Sequence, residues 1–110
     1  MINYTTPTIR LIVEGKDITA NDIRVTLEQG KTELTKKGTD LTVQAVTHGQ
    51  ETDSEITFVL SQTESGAFDF NRSVSIQVNW ITSDGVREAT NIQNLPVMRN
   101  LLDEVIEYGN

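Results

Sequence analysis

The sequence contains no cysteine, which excludes disulfide scaffolds, cysteine-ligated zinc, iron–sulfur clusters and thiol catalysis. Basic residues are also scarce: 9 Lys and Arg stand against 16 Asp and Glu, so the formal net charge is −7. Binding to nucleic acid or to an anionic membrane surface depends on clustered Lys and Arg. We therefore expect neither nucleic acid nor a membrane as a partner.

Membrane-spanning and catalytic signals are missing as well. No apolar run approaches the ~20 residues that cross a bilayer, and MINYTTPTIR has neither the basic start nor the apolar core of a signal peptide. No Gly-x-Ser-x-Gly elbow, P-loop or dinucleotide fingerprint is present. His48, the only histidine, is interpreted as a solvated loop residue. We predict a protein that is not an enzyme, with no catalytic residue, no cofactor and no metal.

The chain is rich in β-branched residues, with 10 Ile, 10 Val and 15 Thr against 4 Ala. Such side chains favour pleated, half-buried strands. In five segments apolar residues alternate with mostly polar ones, which places each apolar set on one face of a strand. These sets are Ile9, Leu11 and Val13; Ile23, Val25 and Leu27; Leu41, Val43 and Ala45; Ile56, Phe58 and Leu60; and Val74, Ile76, Val78 and Trp80. One apolar face per strand predicts an all-β fold, an immunoglobulin-like antiparallel β-sandwich of about seven strands.

Turn-forming residues separate these segments at positions 15–21, 29–31, 37–40, 48–54 and 83–85. Ser61-Gln62-Thr63-Glu64 has the spacing of a capping box, which predicts one helical turn after the fourth segment. We expect the residues that follow to close one end of the core, namely Ala67, Phe68 and Phe70. Pro96 cannot donate a ladder hydrogen bond, so the last strand is predicted to lie at an edge or to be bulged.

The C-terminal segment concentrates apolar residues that a complete sandwich does not obviously need. We divide the chain into a β-sandwich domain, residues 1–98, and an apolar tail or short helix, residues 99–110. Leu101, Leu102, Val105 and Ile106 have the spacing of one side of a helix, with Asn100 as its N-cap. Two alternatives stay open: the tail packs on its own domain, or it contacts another subunit. The candidate interaction residues are Leu101, Leu102, Val105, Ile106 and Tyr108.

Alternating acidic residues support a second interpretation. Glu51, Asp53 and Glu55 lie in or beside the predicted connection at 48–54, and carboxylates spaced in this way could hold Ca²⁺. A solvated acidic loop is the simpler interpretation. Together with Tyr4 and Tyr108 as exposed aromatic residues, however, these carboxylates would suit a carbohydrate-binding or cell-surface adhesion module. That module is the alternative function.

Four parts of the chain carry a resemblance, and they lie at residues 23–29, 60–64 together with 67–68, 74–80 and 97–106. Together they resemble a family of short proteins encoded by tailed phages and prophages of Gram-positive gut bacteria. The layout is also similar to the immunoglobulin-like N-terminal module of phage upper-baseplate proteins. The resemblance implies a structural or adaptor protein of the tail, baseplate or neck, with no catalytic residues to carry over.

The same resemblance implies that the partners are other phage structural proteins or copies of this chain, so that a homo-oligomer is expected. It implies a location in the virion, or in the bacterial cytoplasm during phage assembly. The apolar tail is then one way for neighbouring copies to make contact in a symmetric ring.

Overall fold

The structure is a computed structural model that describes residues 1–108. Its elements follow the alternating segments of the sequence closely. In chain order they are β1 (Thr8–Val13), β2 (Asp22–Gln29), β3 (Thr32–Lys37), a 3₁₀ turn (Gly38–Asp40), β4 (Thr42–His48), β5 (Glu51–Val59), α1 (Gln62–Gly66), β6 (Ser73–Ile81), β7 (Arg87–Ala89) and β8 (Gln93–Pro96).

The strands form two antiparallel sheets. One has the order β1-β5-β4, and the other has the order β3-β2-β6, with both β7 and β8 paired to the free side of β6. This is the arrangement of strands B, E and D and of strands C′, C, F and G in an immunoglobulin-like sandwich. The predicted all-β sandwich is therefore confirmed.

Residues 1–108 form eight strands instead of about seven, because the last strand is interrupted. Ala89 pairs with Asn79 and Gln93 pairs with Ile76, so three residues of the edge strand face two residues of β6. Thr90 fills this bulge: its N–H donates to the carbonyl of Val78 at 2.9 Å, and its hydroxyl accepts from the N–H of Val78 at 3.1 Å. The last strand thus lies at the edge of its sheet, as one of the predicted alternatives had it, and its bulge is at residues 90–92 rather than at Pro96.

The core lies between the sheets and is made of the alternating apolar residues. Its buried members are Ile9, Val13, Ile18, Ile23, Val25, Leu27, Ile56, Phe58, Leu60, Phe68, Val74, Ile76, Val78, Trp80 and Val97. Trp80 is only 4% exposed, in agreement with its parity. The set on β4 is covered less well, since Val43 is half-buried and Ala45 is exposed at the edge of its sheet.

β3 has no alternating apolar pattern and is held instead by its neighbour. A turn at Gly30, with φ +58°, folds β3 back along β2. Lys36 pairs with the buried Val25, so its side chain points to the inner face of this edge strand. Its ammonium lies 2.9 Å from the carboxylate of Glu64. An inward-pointing charge of this kind discourages pairing of an edge strand with another chain.

The predicted connection at 48–54 is wrong, because the turn consists of residues 49 and 50 only and β5 begins at Glu51. Glu51 and Asp53 lie on the outer face of β5, where an antiparallel strand carries polar residues. Ser54, on the inner face, is fully buried. It accepts a hydrogen bond from the N–H of Ile18 at 2.9 Å and donates to the carbonyl of Lys16 at 2.8 Å. A buried serine thereby fixes the connection between β1 and β2.

The predicted capping box is present at the start of α1. The hydroxyl of Ser61 accepts from the N–H of Glu64 at 3.1 Å, and the N–H of Ser61 donates to the carboxylate of Glu64 at 2.9 Å. Phe68 closes the end of the core and is 1% exposed. Ala67 and Phe70 do not share this role, because both are exposed. The chain turns away after Asp69, whose N–H donates to the side-chain oxygen of Gln29 at 2.6 Å.

Candidate interaction surfaces

The two terminal segments are joined beside α1. Residues 1–3 run parallel to the segment that follows β8, with Ile2 paired to Met98. The N–H of Met98 donates to the carbonyl of Met1 at 2.7 Å, and the N–H of Asn3 donates to the carbonyl of Met98 at 3.1 Å. Asn3 is buried, and its side-chain oxygen accepts from the N–H of Asn100 at 2.9 Å. The start of the tail is therefore fixed to the domain.

The tail forms no helix over residues 101–108. The side chain of Asn100 accepts from the N–H of Leu102 at 3.2 Å, which is a local turn, but no helical hydrogen bonds follow it. Two turns of helix are marginal in water without a packed face. Of the two predicted forms, the structure therefore shows the tail. Residues 109 and 110 of the predicted tail lie outside the described residues.

Gln62 on α1 binds the backbone of the tail at a single residue. Its side-chain N–H donates to the carbonyl of Ile106 at 2.9 Å, and its side-chain oxygen accepts from the N–H of Ile106 at 2.7 Å. The tail thus lies against α1 of its own domain through its backbone. This pair of hydrogen bonds leaves the apolar side chains of the tail free to face outward.

The predicted interaction residues are all exposed. Val105 is the least exposed of them at 44%, and Tyr108 is fully exposed. The domain adds further apolar side chains beside the tail, and these are Ile2, Phe70 and Met98. The guanidinium of Arg99 lies 5.7 Å from the centre of the Phe70 ring. We call the exposed apolar residues of this end, including the tail, the terminal apolar surface.

Tyr4 is not the exposed aromatic residue that the sequence suggested. It is half-buried, has φ +60°, and its ring packs on Gly66 of α1. A Cβ placed on Gly66 would lie 2.5 Å from Cε1 of Tyr4. Glycine is therefore required at position 66 by the close approach of this ring.

The acidic residues proposed as a Ca²⁺ site lie on the outer face of β5, and two of them, Asp53 and Glu55, are engaged elsewhere. Glu55 forms an ion pair with Arg10 at 2.6 Å, and Asp53 accepts from the backbone N–H of Gly15 at 2.8 Å. His48 ends β4, with its Nε2 3.8 Å from Asp53. Among residues 1–108, no three His, Cys, Asp or Glu side chains are grouped closely enough to hold a metal ion.

Two carboxyl groups beside the connection between β1 and β2 have lowered pKa values. The Lys16 ammonium, 2.6 Å from Glu88, is the main cause of the lowered pKa of Glu88. The same ammonium lies 5.9 Å above the Trp80 ring. The hydroxyl and the N–H of Thr19 both donate to Asp17 and lower its pKa. These contacts stabilise the ionised carboxylates at the end of the sandwich farthest from α1.

A shallow groove of about 350 Å³ crosses the outer face of the five-stranded sheet. We call it the basic groove, and it is lined by Asp22, Arg24, Thr26, Thr35, Asn79, Trp80, Ile81 and Arg87. Arg24 pairs across the sheet with Lys37 on one side and with Asn79 on the other. The Arg87 guanidinium donates to the side-chain oxygen of Asn79 at 3.2 Å. Three cations thus share a face with a single lining carboxylate, Asp22, which lies 3.4 Å from Arg24.

Sequence reasoning missed the basic groove. Its cations are separated by 13 and 50 positions in the chain (24 to 37, and 37 to 87) and are brought together only by strand register. It also missed the exposed Ile2, Phe70 and Met98: Ile2 and Met98 are brought together by the pairing of the terminal segments, and Phe70 lies against Arg99. No local sequence signal marks either arrangement.

No helix within residues 1–108 has the length and apolar character needed to cross a bilayer. No family model, no curated protein and no solved structure matches the chain.

Proposed function

We propose that this chain is a non-enzymatic structural or adaptor protein of a tailed phage or prophage, and that it acts by protein–protein contact in the tail, baseplate or neck. The observation that carries the proposal is the terminal apolar surface. An exposed apolar patch next to a well-formed core usually marks an interaction site. Every predicted interaction residue contributes to this surface, from Leu101 to Tyr108.

The way in which the tail is anchored favours a role in binding a partner over a role in stabilising its own domain. Gln62 and Asn3 hold its backbone, while its apolar side chains add little to the buried core. The domain thus holds the tail in place but does not bury its apolar side chains. The resemblance of residues 23–29, 60–64 with 67–68, 74–80 and 97–106 to short phage proteins supports the setting, in the virion or in the bacterial cytoplasm during assembly.

Particle composition tests the proposal directly. A lysogen that carries this gene is induced, phage particles are purified, and the protein is quantified by mass spectrometry against the major tail protein. We expect the full chain in the particles at a fixed ratio, and we expect a chain lacking residues 101–110 to be lost from them. A truncated chain that folds and is incorporated normally would rule out the tail as the contact. Absence of the full chain from particles would rule out the structural role.

A carbohydrate-binding or adhesion module is the second candidate, favoured by one observation, the fully exposed ring of Tyr108. Exposed aromatic rings can stack on sugars. Glycan-array binding by the full chain that is lost in Tyr108→Ala would support this function. We expect this binding to be unaffected by a chelator, because Asp53 and Glu55 already bind groups of their own domain and do not form a Ca²⁺ site.

A further inference from the structure

The tail and the basic groove have opposite charge. Residues 101–108 contain Asp103, Glu104 and Glu107 and no basic residue. Arg24 and Arg87 line the groove, and Lys37 lies beside Arg24 on the same face, although the chain as a whole carries a net charge of −7. Both surfaces also expose apolar side chains, since Ile81 at the groove is 41% exposed. The two surfaces are therefore complementary in charge and in polarity.

The tail is anchored outside the groove. The groove lies on the outer face of the five-stranded sheet and contains the last three residues of β6, whereas the tail is hydrogen-bonded to Gln62 on α1. None of residues 101–108 lines the groove of its own domain. The groove is therefore open to the tail of another copy.

We propose that the tail of one copy docks in the basic groove of a second copy. This inference rests on the proposed function and names its partner. Asp103 and Glu104 would pair with the guanidinium groups of Arg24 and Arg87, which recognise carboxylates well. Leucine side chains of the tail would lie on Ile81 and on the aliphatic stems of the arginines. Because tail and groove are different surfaces, the contact is head-to-tail and can repeat into a ring or a filament.

Two charge-reversal variants test this contact. The tail variant is Asp103→Lys with Glu104→Lys, and the groove variant is Arg24→Glu with Arg87→Glu. In each variant alone, tail and groove carry the same sign, so we expect self-association measured by sedimentation to weaken by at least about tenfold. In an equimolar mixture every tail again meets a groove of opposite sign. We expect the mixture to regain the association of the wild type.

Matched controls separate this contact from a general effect of charge. Glu14→Lys with Glu51→Lys changes the net charge as much as the tail variant, at exposed positions outside both surfaces, and should associate like the wild type. Wild-type association should weaken between about 0.05 M and about 0.5 M NaCl. Circular dichroism and thermal melting establish whether each variant is folded. If the groove variant is unfolded, Arg24→Gln with Arg87→Gln replaces it.

Three results would overturn the inference: a wild type that is monomeric at all concentrations, variants that associate as the wild type does, or a mixture that stays monomeric. The proposed function has a separate readout in the composition of phage particles. Particles that incorporate the wild type and both charge variants equally would leave the proposed function standing and reject this contact. Particles without the wild-type protein would reject the proposed function, whatever the state of association.

Discussion

The ammonium of Lys36 lies 2.9 Å from the carboxylate of Glu64, and this ion pair joins edge strand β3 to the single turn of α1. The same carboxylate accepts the N–H of Ser61 and so closes the capping box. One side chain therefore caps the helical turn and neutralises the inward-pointing lysine. The end of the sandwich that carries the tail depends on this shared carboxylate.

Stability should depend on pH through Glu64. Burial would raise the pKa of Glu64, but the N–H of Ser61 and the ammonium of Lys36 outweigh burial and hold the pKa below its ordinary 4.5. A carboxyl group with a lowered folded pKa stabilises the protein above its unfolded pKa, and this stabilisation is lost as pH falls through the folded pKa. We expect Glu64→Gln to cost about 1 kcal/mol at neutral pH and much less near pH 3. Urea unfolding at both pH values measures the difference, with the exposed Glu14→Gln as control; a cost that does not change with pH would contradict it.

Gly66 should tolerate no side chain while Tyr4 is present. Because an added Cβ meets the Tyr4 ring at 2.5 Å, Gly66→Ala should destabilise the domain by about 1–3 kcal/mol. With Tyr4→Ala the obstacle is gone, and the better helix propensity of alanine should make the same change neutral or stabilising by up to about 1 kcal/mol. Denaturant unfolding of the four proteins of this double-mutant cycle gives the coupling free energy. An equal effect of Gly66→Ala in both backgrounds would show that the ring does not matter.

Phe68 and Phe70 should differ sharply in their effects on stability. Phe68 is 1% exposed and closes the core, whereas Phe70 is 40% exposed. We expect Phe68→Ala to lower the free energy of unfolding by about 3–5 kcal/mol and Phe70→Ala to lower it by less than about 1 kcal/mol. Each variant is the control of the other, because the residue removed is the same. Chemical denaturation measures both free energies of unfolding. Similar decreases for the two variants would show that Phe68 alone does not close this end of the core.

The position of the tail should depend on Gln62. Its two hydrogen bonds to Ile106 hold the middle of the tail against α1, and Gln62→Ala removes both. We expect faster hydrogen exchange at the Ile106 amide and faster chymotrypsin cleavage within residues 101–108, with a melting temperature changed by less than about 3 °C. Gln50→Ala, in the exposed turn between β4 and β5, is the matched control. Unchanged exchange at Ile106 would show that Gln62 does not hold the tail.

Strand alternation was sufficient to predict the sandwich and its core, because burial of one face imposes period two on the sequence. It failed at β3, where Leu34 is the one apolar residue and pairing to β2 through the Gly30 turn decides the structure. It failed again at 51–54, because β5 begins with residues that are polar on both faces, and four polar residues in a row resemble a loop. Period alone does not separate an edge strand from a connection.

The candidate surfaces were predictable to different degrees. Leu101, Leu102, Val105, Ile106 and Tyr108 lie close together in the sequence, so their apolar character could be read directly. Their conformation could not, because it is set by Gln62 and Asn3 from distant elements. The basic groove depends on the register among β2, β3, β6 and β7, which no short stretch of sequence encodes. The role of the tail in binding stays a prediction.

The parallel pairing of residues 1–3 with the segment after β8 has a consequence for biosynthesis. Asn3 and Asn100 are separated by 97 positions, so a ribosome completes nearly the whole domain before Asn3 has a partner. Until then residues 1–3 lack their strand partner. The conformational entropy of closing so long a loop is lost only when the two terminal segments pair. Contacts of such long range slow folding. We expect this closure to be the last step, completed after the C-terminal segment has left the exit tunnel.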